Sequence, residues 1–225
     1  MSNMTEQNLS EKARSEILEA ALPIAAFEGW TSKTLREAAH AAALPKGAED
    51  LYFPGGATEL VTFWAEQCND EAAAKLAAMD LSGLKIREKV TQGVLARLEA
   101  IGPHTEAARR AVAKLSLPSS GSAGPKSLWA AADTIWRAIG DTSTDANYYS
   151  KRTVLSAVIS TSTMAWLGDH SDDKLEARAF LDRRIENVMQ FEKFKAKAKK
   201  ARAKWPDPVE ALSKLRYGRQ SGQRR

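Results

Sequence analysis

Apolar residues recur along this chain at helical spacing and nowhere in the strict alternation of a strand, which confines the fold to packed helices. Ile17, Ala20, Ala21, Ile24 and Phe27 form one series, and Leu60, Phe63, Trp64 and Gln67 another. Val90, Val94, Leu95 and Leu98 form a third, and Ile185, Val188 and Met189 a fourth. Steps of three and four place each set on one face of a helix. Gly29, Pro45 with Gly47, and Gly102-Pro103 punctuate the series, and Pro118 to Pro125 reads as a loop. The pattern predicts an all-α fold of nine or ten helices in one body, then a linker and a short terminal helix. A chain of 225 residues buries a core without disulfides. Its single cysteine, Cys68, cannot make an intrachain bridge, which fits a reducing compartment.

Charge is distributed unevenly. The net charge is +5, yet from Phe191 onward 12 Lys and Arg stand against Glu192, Asp207 and Glu210, a balance of +9. The preceding 190 residues hold 21 basic and 25 acidic groups, a balance of −4. A mildly acidic body thus carries a basic tail, and such a tail suits a polyanionic partner, either an anionic membrane surface or nucleic acid. Within it Lys193, Lys195, Lys197, Lys199, Lys200, Arg202 and Lys204 alternate mainly with Ala. Asp207-Pro208-Val209-Glu210 then reads as a helix start, and Val209, Leu212 and Leu215 give that helix a narrow apolar edge. A polybasic run before a short apolar edge is the pattern of a surface-bound membrane segment.

No set of residues resembles a catalytic centre. His40, His104 and His170 lie far apart, and Glu37-Ala38-Ala39-His40 spells E-x-x-H only once, where a di-iron bundle needs two copies. There is no phosphate-binding glycine loop and no nucleophile elbow. The reading is a non-enzyme with no metal and no cofactor. The longest uncharged stretch, Thr153 to Gly168, is too short to span a bilayer. The first residues carry Glu6 and Glu11 and no apolar run, so they read as neither a signal nor a transit peptide. The expectation is a bacterial cytoplasmic protein.

One stretch is more specific. Gly140-Asp141-Thr142-Ser143-Thr144-Asp145-Ala146-Asn147-Tyr148-Tyr149-Ser150-Lys151-Arg152 is a helix stop followed by a helix start. Gly140 suits the left-handed residue that ends a helix, and Thr144 with Asp145 suits the next N-terminus. Asp145, Tyr148 and Arg152 then share one helical stripe with Tyr149 beside it. These residues resemble the signature of the Coq-nine family of ubiquinone-biosynthesis accessory proteins, with Tyr148 where some relatives carry Trp. The resemblance runs from about Ile17 to about Phe194. It includes Ile17-Leu18-Glu19-Ala20-Ala21-Leu22, Gly29-Trp30-Thr31, Phe63 with Gln67-Cys68-Asn69, and Phe180-Leu181-Asp182-Arg183-Arg184-Ile185.

That resemblance implies a homodimer that holds a lipid or isoprenoid quinone in an internal cavity and presents it to a di-iron demethoxyubiquinone hydroxylase. It also implies a membrane-binding helix at the C-terminal end, hence a peripheral location at the inner face of the bacterial inner membrane. The helix after Arg152 is apolar on two sides, with Leu155 and Ile159 on one and Val154 and Val158 on the other. The expected cavity wall is therefore Leu95, Leu98, Trp129, Ile135, Val154, Leu155, Val158 and Ile159. Asp141, Asp145, Asn147, Tyr148, Tyr149 and Arg152 are expected to dock the partner, since Tyr and Arg commonly anchor interfaces.

The first fifty residues resemble the DNA-binding end of the tetracycline-repressor family, in three helices at Ile17 to Phe27, Leu35 to Ala42 and Lys46 to Phe53. The third would enter the major groove, yet Glu49 and Asp50 outweigh Lys46 there. The expectation is a degenerate helix-turn-helix on a repressor-like bundle, with DNA binding unlikely and a ligand-responsive regulator as the alternative. The expected division is a flexible end at 1–9, a helix-turn-helix-like part at 10–55, a lipid-binding and dimerisation body at 56–190, and the tail at 191–225.

Overall fold

The computed structural model describes residues 2–144 and 146–203. Among them it contains nine α-helices and no strand. They are α1 (Ser2–Glu28), α2 (Ser32–Ala41), α3 (Ala48–Tyr52), α4 (Gly56–Ala77) and α5 (Ile86–Glu99). After them come α6 (Thr105–Leu115), α7 (Ala123–Ala138), α8 (Ala146–Gly168) and α9 (Leu175–Ala203). Two compact units are distinguished, Met1–Arg183 and Arg184–Arg225.

The helix boundaries follow from local chemistry. Gly29 ends α1 at φ +77°, and Thr31 caps α2 by accepting from the Thr34 backbone N–H at 3.1 Å. Gly140 ends α7 at φ +86°. There the Gly140 N–H reaches the Arg137 carbonyl at 3.0 Å and the Asp141 N–H reaches the Trp136 carbonyl at 2.9 Å, the paired bonds of a glycine-terminated helix. Three boundaries differ from expectation. The stretch read as a flexible start is helical from Ser2. The third helix is shorter than Lys46 to Phe53, because Gly47 at φ +91° sits outside it. The segment Pro118 to Pro125 is only partly a loop, since α7 begins at Ala123. Pro125 lies in its first turn, where the missing N–H has no intrahelical partner to lose.

In the first unit α4 packs most extensively on α7 and also on α5, α7 packs on α8, and α1 packs on α2 and α6. Ile17, Leu18, Leu60, Val61, Leu76, Val94, Leu98, Ile135 and Leu181 are fully buried in this core. The close approach of α5 to α7 is set by Gly93, where a Cβ would stand 2.5 Å from Cγ2 of Ile135. The first three helices are tied to the rest by indole and guanidinium groups. The Trp30 indole N–H donates to the Ala107 carbonyl at 2.9 Å and its ring lies 5.6 Å from that of Trp64. Arg110 Nε donates to the Ala26 carbonyl at 2.9 Å. Among the described residues no helix is long and apolar enough to cross a membrane.

Candidate functional site

The turn between α7 and α8 is built around Arg152. In the second turn of α8, its side chain is 2% exposed. Its Nε donates to Asp133 Oδ1 at 2.5 Å, and a terminal nitrogen reaches Asp141 Oδ2 and the Tyr148 carbonyl, each at 3.3 Å. The guanidinium also lies 3.5 Å from the centre of the Tyr148 ring. Lys151 completes the cluster, donating to Asp141 Oδ1 at 2.6 Å and Ser143 Oγ at 2.7 Å. Burial pushes the Asp141 carboxyl up. Hydrogen bonds from Lys151 and Ser143, with the Lys151 charge and the Arg152 bond, outweigh it and hold the group at about 2. The turn is therefore cross-braced between α7 and α8 by alternating charges.

Of the residues expected to dock a partner, Arg152 and Asp141 thus face inward, with Asp141 only 7% exposed. This departs from the expectation that Arg152 shares an accessible stripe with Asp145, Tyr148 and Tyr149, and that Asp141 docks the partner with them. Asp133, nineteen residues before Arg152, takes together with Asp141 the guanidinium that was expected to dock a partner. Asn147 and Tyr149 are exposed and Tyr148 is half-buried, while Asp145 lies outside the described residues. Trp129, expected in the cavity wall, instead joins this outer face. Its ring centre lies 6.2 Å from Tyr148 and 6.1 Å from Tyr149, which are 5.1 Å apart and edge-to-face. Tyr149 remains 63% exposed. Three rings held in place by a buried cation give a rigid aromatic platform beside the turn.

A cavity of about 450 Å³ lies among α4, α5, α6, α7 and α8. Val61, Trp64, Ile101, Ala108, Leu128 and Ile159 supply much of its apolar wall. Its rim carries the exposed residues Ser116, Leu117, Pro118, Gly121 and Pro125, which locates the mouth at the α6–α7 connection. Of the eight wall residues expected from the sequence, Ile159 alone lines this cavity. Leu98, Ile135, Leu155 and Val158 are packed in the core, and Leu95, Trp129 and Val154 are half-buried elsewhere. The void depends on how α4 and α6 stand against α7, which the wheel of α8 does not report. Cys68, read as a packing residue, is buried on the cavity wall; its thiol donates to the Ala100 carbonyl at 3.7 Å, and burial raises its pKa.

At the N-terminal end α3 has five residues with Glu49 and Asp50 in its first turn. The Glu49 carboxylate accepts from the Gly47 backbone N–H at 3.2 Å, so one of the two acids is engaged in the turn that starts the helix. In the E-x-x-H pair, Glu37 meets Lys33 at 3.5 Å and His40 is exposed. Among the described residues no group of three or more His, Cys, Asp or Glu converges on a common point. Of the tail residues, Lys193, Lys195, Lys197, Lys199, Lys200 and Arg202 lie within the backbone of α9. Lys204, Val209, Leu212 and Leu215 lie outside the described residues.

The family model described as COQ9 matches residues 121–192, the span that contains α7, the braced turn and α8. The chain is 32% identical to the ubiquinone biosynthesis protein COQ9 of Xenopus tropicalis, over 80% of this chain and 58% of that protein. It is 29% identical to the human protein of that name, over 80% of this chain and 59% of that one. Both are named as mitochondrial, and the chain spans less than two thirds of the length of either. In fold it is similar to a TetR transcriptional regulator from Nitrosomonas europaea, with a TM-score of 0.62 at 16% identity, covering 79% of this chain and 98% of that one. By sequence the chain is therefore similar to the COQ9 proteins across four fifths of its length, on a TetR-like all-α fold.

Proposed function

We propose that this protein is a non-catalytic accessory protein of ubiquinone biosynthesis that binds a lipid or isoprenoid quinone in the cavity of its helical body. The observation that carries the reading is that cavity: about 450 Å³, mostly apolar, opening at Leu117 and Pro118. Its size falls within the roughly 300–1,000 Å³ of small-molecule sites. Enclosing a polyprenyl chain removes apolar surface from water at roughly 25 cal/mol per Å². The partner is a di-iron demethoxyubiquinone hydroxylase, docked at the Trp129–Tyr148–Tyr149 platform and presented with a quinone intermediate. The protein works as a homodimer, and the exposed Ala157, Thr161 and Met164 of α8 leave a face for the second copy. The basic tail holds it peripherally at an anionic bilayer, the inner face of a bacterial inner membrane. No cofactor is needed for this role.

Solvent extraction of purified protein, followed by mass spectrometry, tests the reading. An isoprenoid or phospholipid in stoichiometric amount is expected; a clean protein that also fails to take up added lipid would remove it. The alternative, a ligand-responsive regulator, has the TetR-like fold in its favour. Glu49 and Asp50 at the start of α3 oppose it, because phosphate contacts supply most DNA affinity. No sequence-specific retardation of DNA is expected. A salt-sensitive, sequence-specific shift that survives removal of the basic tail would promote the regulator instead.

A further inference from the structure

Arg97 is the one charged side chain among the residues that line the cavity. It sits in the last turn of α5, where its Nε donates to Asn69 Oδ1 of α4 at 2.6 Å. Asn69 is buried, and so are Cys68 and Ile101, which line the cavity with Arg97, whereas the exposed rim lies at the α6–α7 connection. Among the described residues no carboxylate forms an ion pair with Arg97. Glu71, the nearest acid to influence it, is exposed and makes no such contact. A guanidinium carries five N–H donors in a fixed fork, and one is used. Arg97 is half-buried, and burial pulls the group below its ordinary range, the direction expected where no carboxylate compensates the charge. A half-buried cation without a carboxylate partner leaves its terminal N–H groups available to an acceptor in the cavity.

We propose that Arg97 is the polar anchor of the cavity, receiving an oxyanionic lipid head while the hydrocarbon chain runs toward the Leu117–Pro125 rim. The inference rests on the lipid-binding half of that reading and narrows the ligand to a lipid with an acidic head, since a quinone ring carries neither carboxylate nor phosphate. Asn69 holds Nε and so restrains the plane of the fork, leaving the terminal nitrogens without a protein acceptor among the described residues. Paired N–H groups match the two oxygens of a carboxylate or phosphate. The lining beyond Arg97 offers small hydroxyls, at Ser116, Ser127, Ser160 and Thr163, and mostly apolar surface besides. That gradation suits one charged end and one long apolar end.

The test uses delipidated full-length protein with a neutral fluorescent probe in the cavity, displaced by palmitate, methyl palmitate or inorganic phosphate. Palmitate is expected to bind about tenfold more tightly than its methyl ester, since a charge-assisted pair is lost in the ester. Inorganic phosphate alone should not displace the probe, which separates a lipid head from a free anion. Arg97→Met should bring the two lipids to within about twofold while the ester's own affinity is unchanged. Arg97→Lys should keep part of the preference and serves if Arg97→Met does not fold. Equal affinities in the unmodified protein, or a preference that survives Arg97→Met, would overturn the anchor and leave the lipid cavity standing. Displacement by neither lipid would overturn both readings, and displacement by phosphate would replace the lipid head with a free anion.

Discussion

Removing the Arg152 guanidinium takes away the counter-charge that Asp133 and Asp141 share, leaving Asp133 only the charge of the exposed Arg137 and Asp141 only that of Lys151. Arg152 is 2% exposed and Asp141 7%, so solvent does little to compensate. Arg152→Met should therefore lower stability by about 3 kcal/mol, read as a drop in the urea midpoint at unchanged slope. Tyr149 is 63% exposed and touches Trp129 and Tyr148 from outside. Tyr149→Ala should cost less than about 1 kcal/mol of stability, yet weaken binding of the partner hydroxylase by about 2 kcal/mol if the ring is an anchor. Equal losses of stability from both substitutions would mean that the platform is structural. The acid limb of stability belongs to the same cluster. Asp141 is held at about 2, below its ordinary 3.8, so folding gains from it fully above pH 3.8 and loses that gain as pH falls toward 2. Asp141→Asn should flatten the stability profile over that interval, measured by denaturant titration at a series of pH values.

At the scale of the element, Gly93 carries a sign that propensity alone would reverse. Gly→Ala inside a helix is ordinarily stabilising by roughly 0.5–1 kcal/mol. Here the added Cβ would meet the buried Ile135 at 2.5 Å, where α5 crosses α7. Gly93→Ala should destabilise by about 1–3 kcal/mol, and the double variant Gly93→Ala/Ile135→Ala should lose less than the sum of the two singles. Additive losses, read from thermal or urea unfolding, would show that α5 and α7 separate freely. Helix spacing and stops were legible in the chain because they depend on neighbours in sequence: Gly140 ends α7, Thr31 caps α2 and Gly102-Pro103 parts α5 from α6. The start of α7 was not, because Pro125 reads as a breaker when it is in fact a tolerated first-turn residue.

For the whole molecule, the charge division between body and tail makes a separate prediction. The unit Met1–Arg183 has its own buried core, so a chain ending before Lys193 should still fold and unfold cooperatively, losing only the helical signal of the end of α9. The intact protein should float with anionic liposomes and lose that binding as salt is raised, since each basic group near such a surface contributes about 1 kcal/mol and is screened within a Debye length. The shortened protein should stay in the aqueous fraction. Equal flotation of both would move the membrane contact to the body, where the exposed Phe27, Leu51 and Leu117 would be the first residues to substitute.

The sequence by itself determined the fold class, most helix ends, the signature at Gly140–Arg152 and the acidic character of α3. Each depends on periodicity, on glycine and proline geometry, or on charges close together in the chain. Which way Arg152 points was decided only by the tertiary structure, because its counter-charges Asp133 and Asp141 lie on and just after the preceding helix. The cavity was decided there too. Leu98, Ile135, Leu155 and Val158 are apolar at the right spacing, yet they fill space, while the void falls beside Trp64, Ile101, Ala108 and Ile159. Apolar periodicity states which face of a helix turns inward; whether that face meets a side chain or a gap depends on the distance to helices far away in sequence.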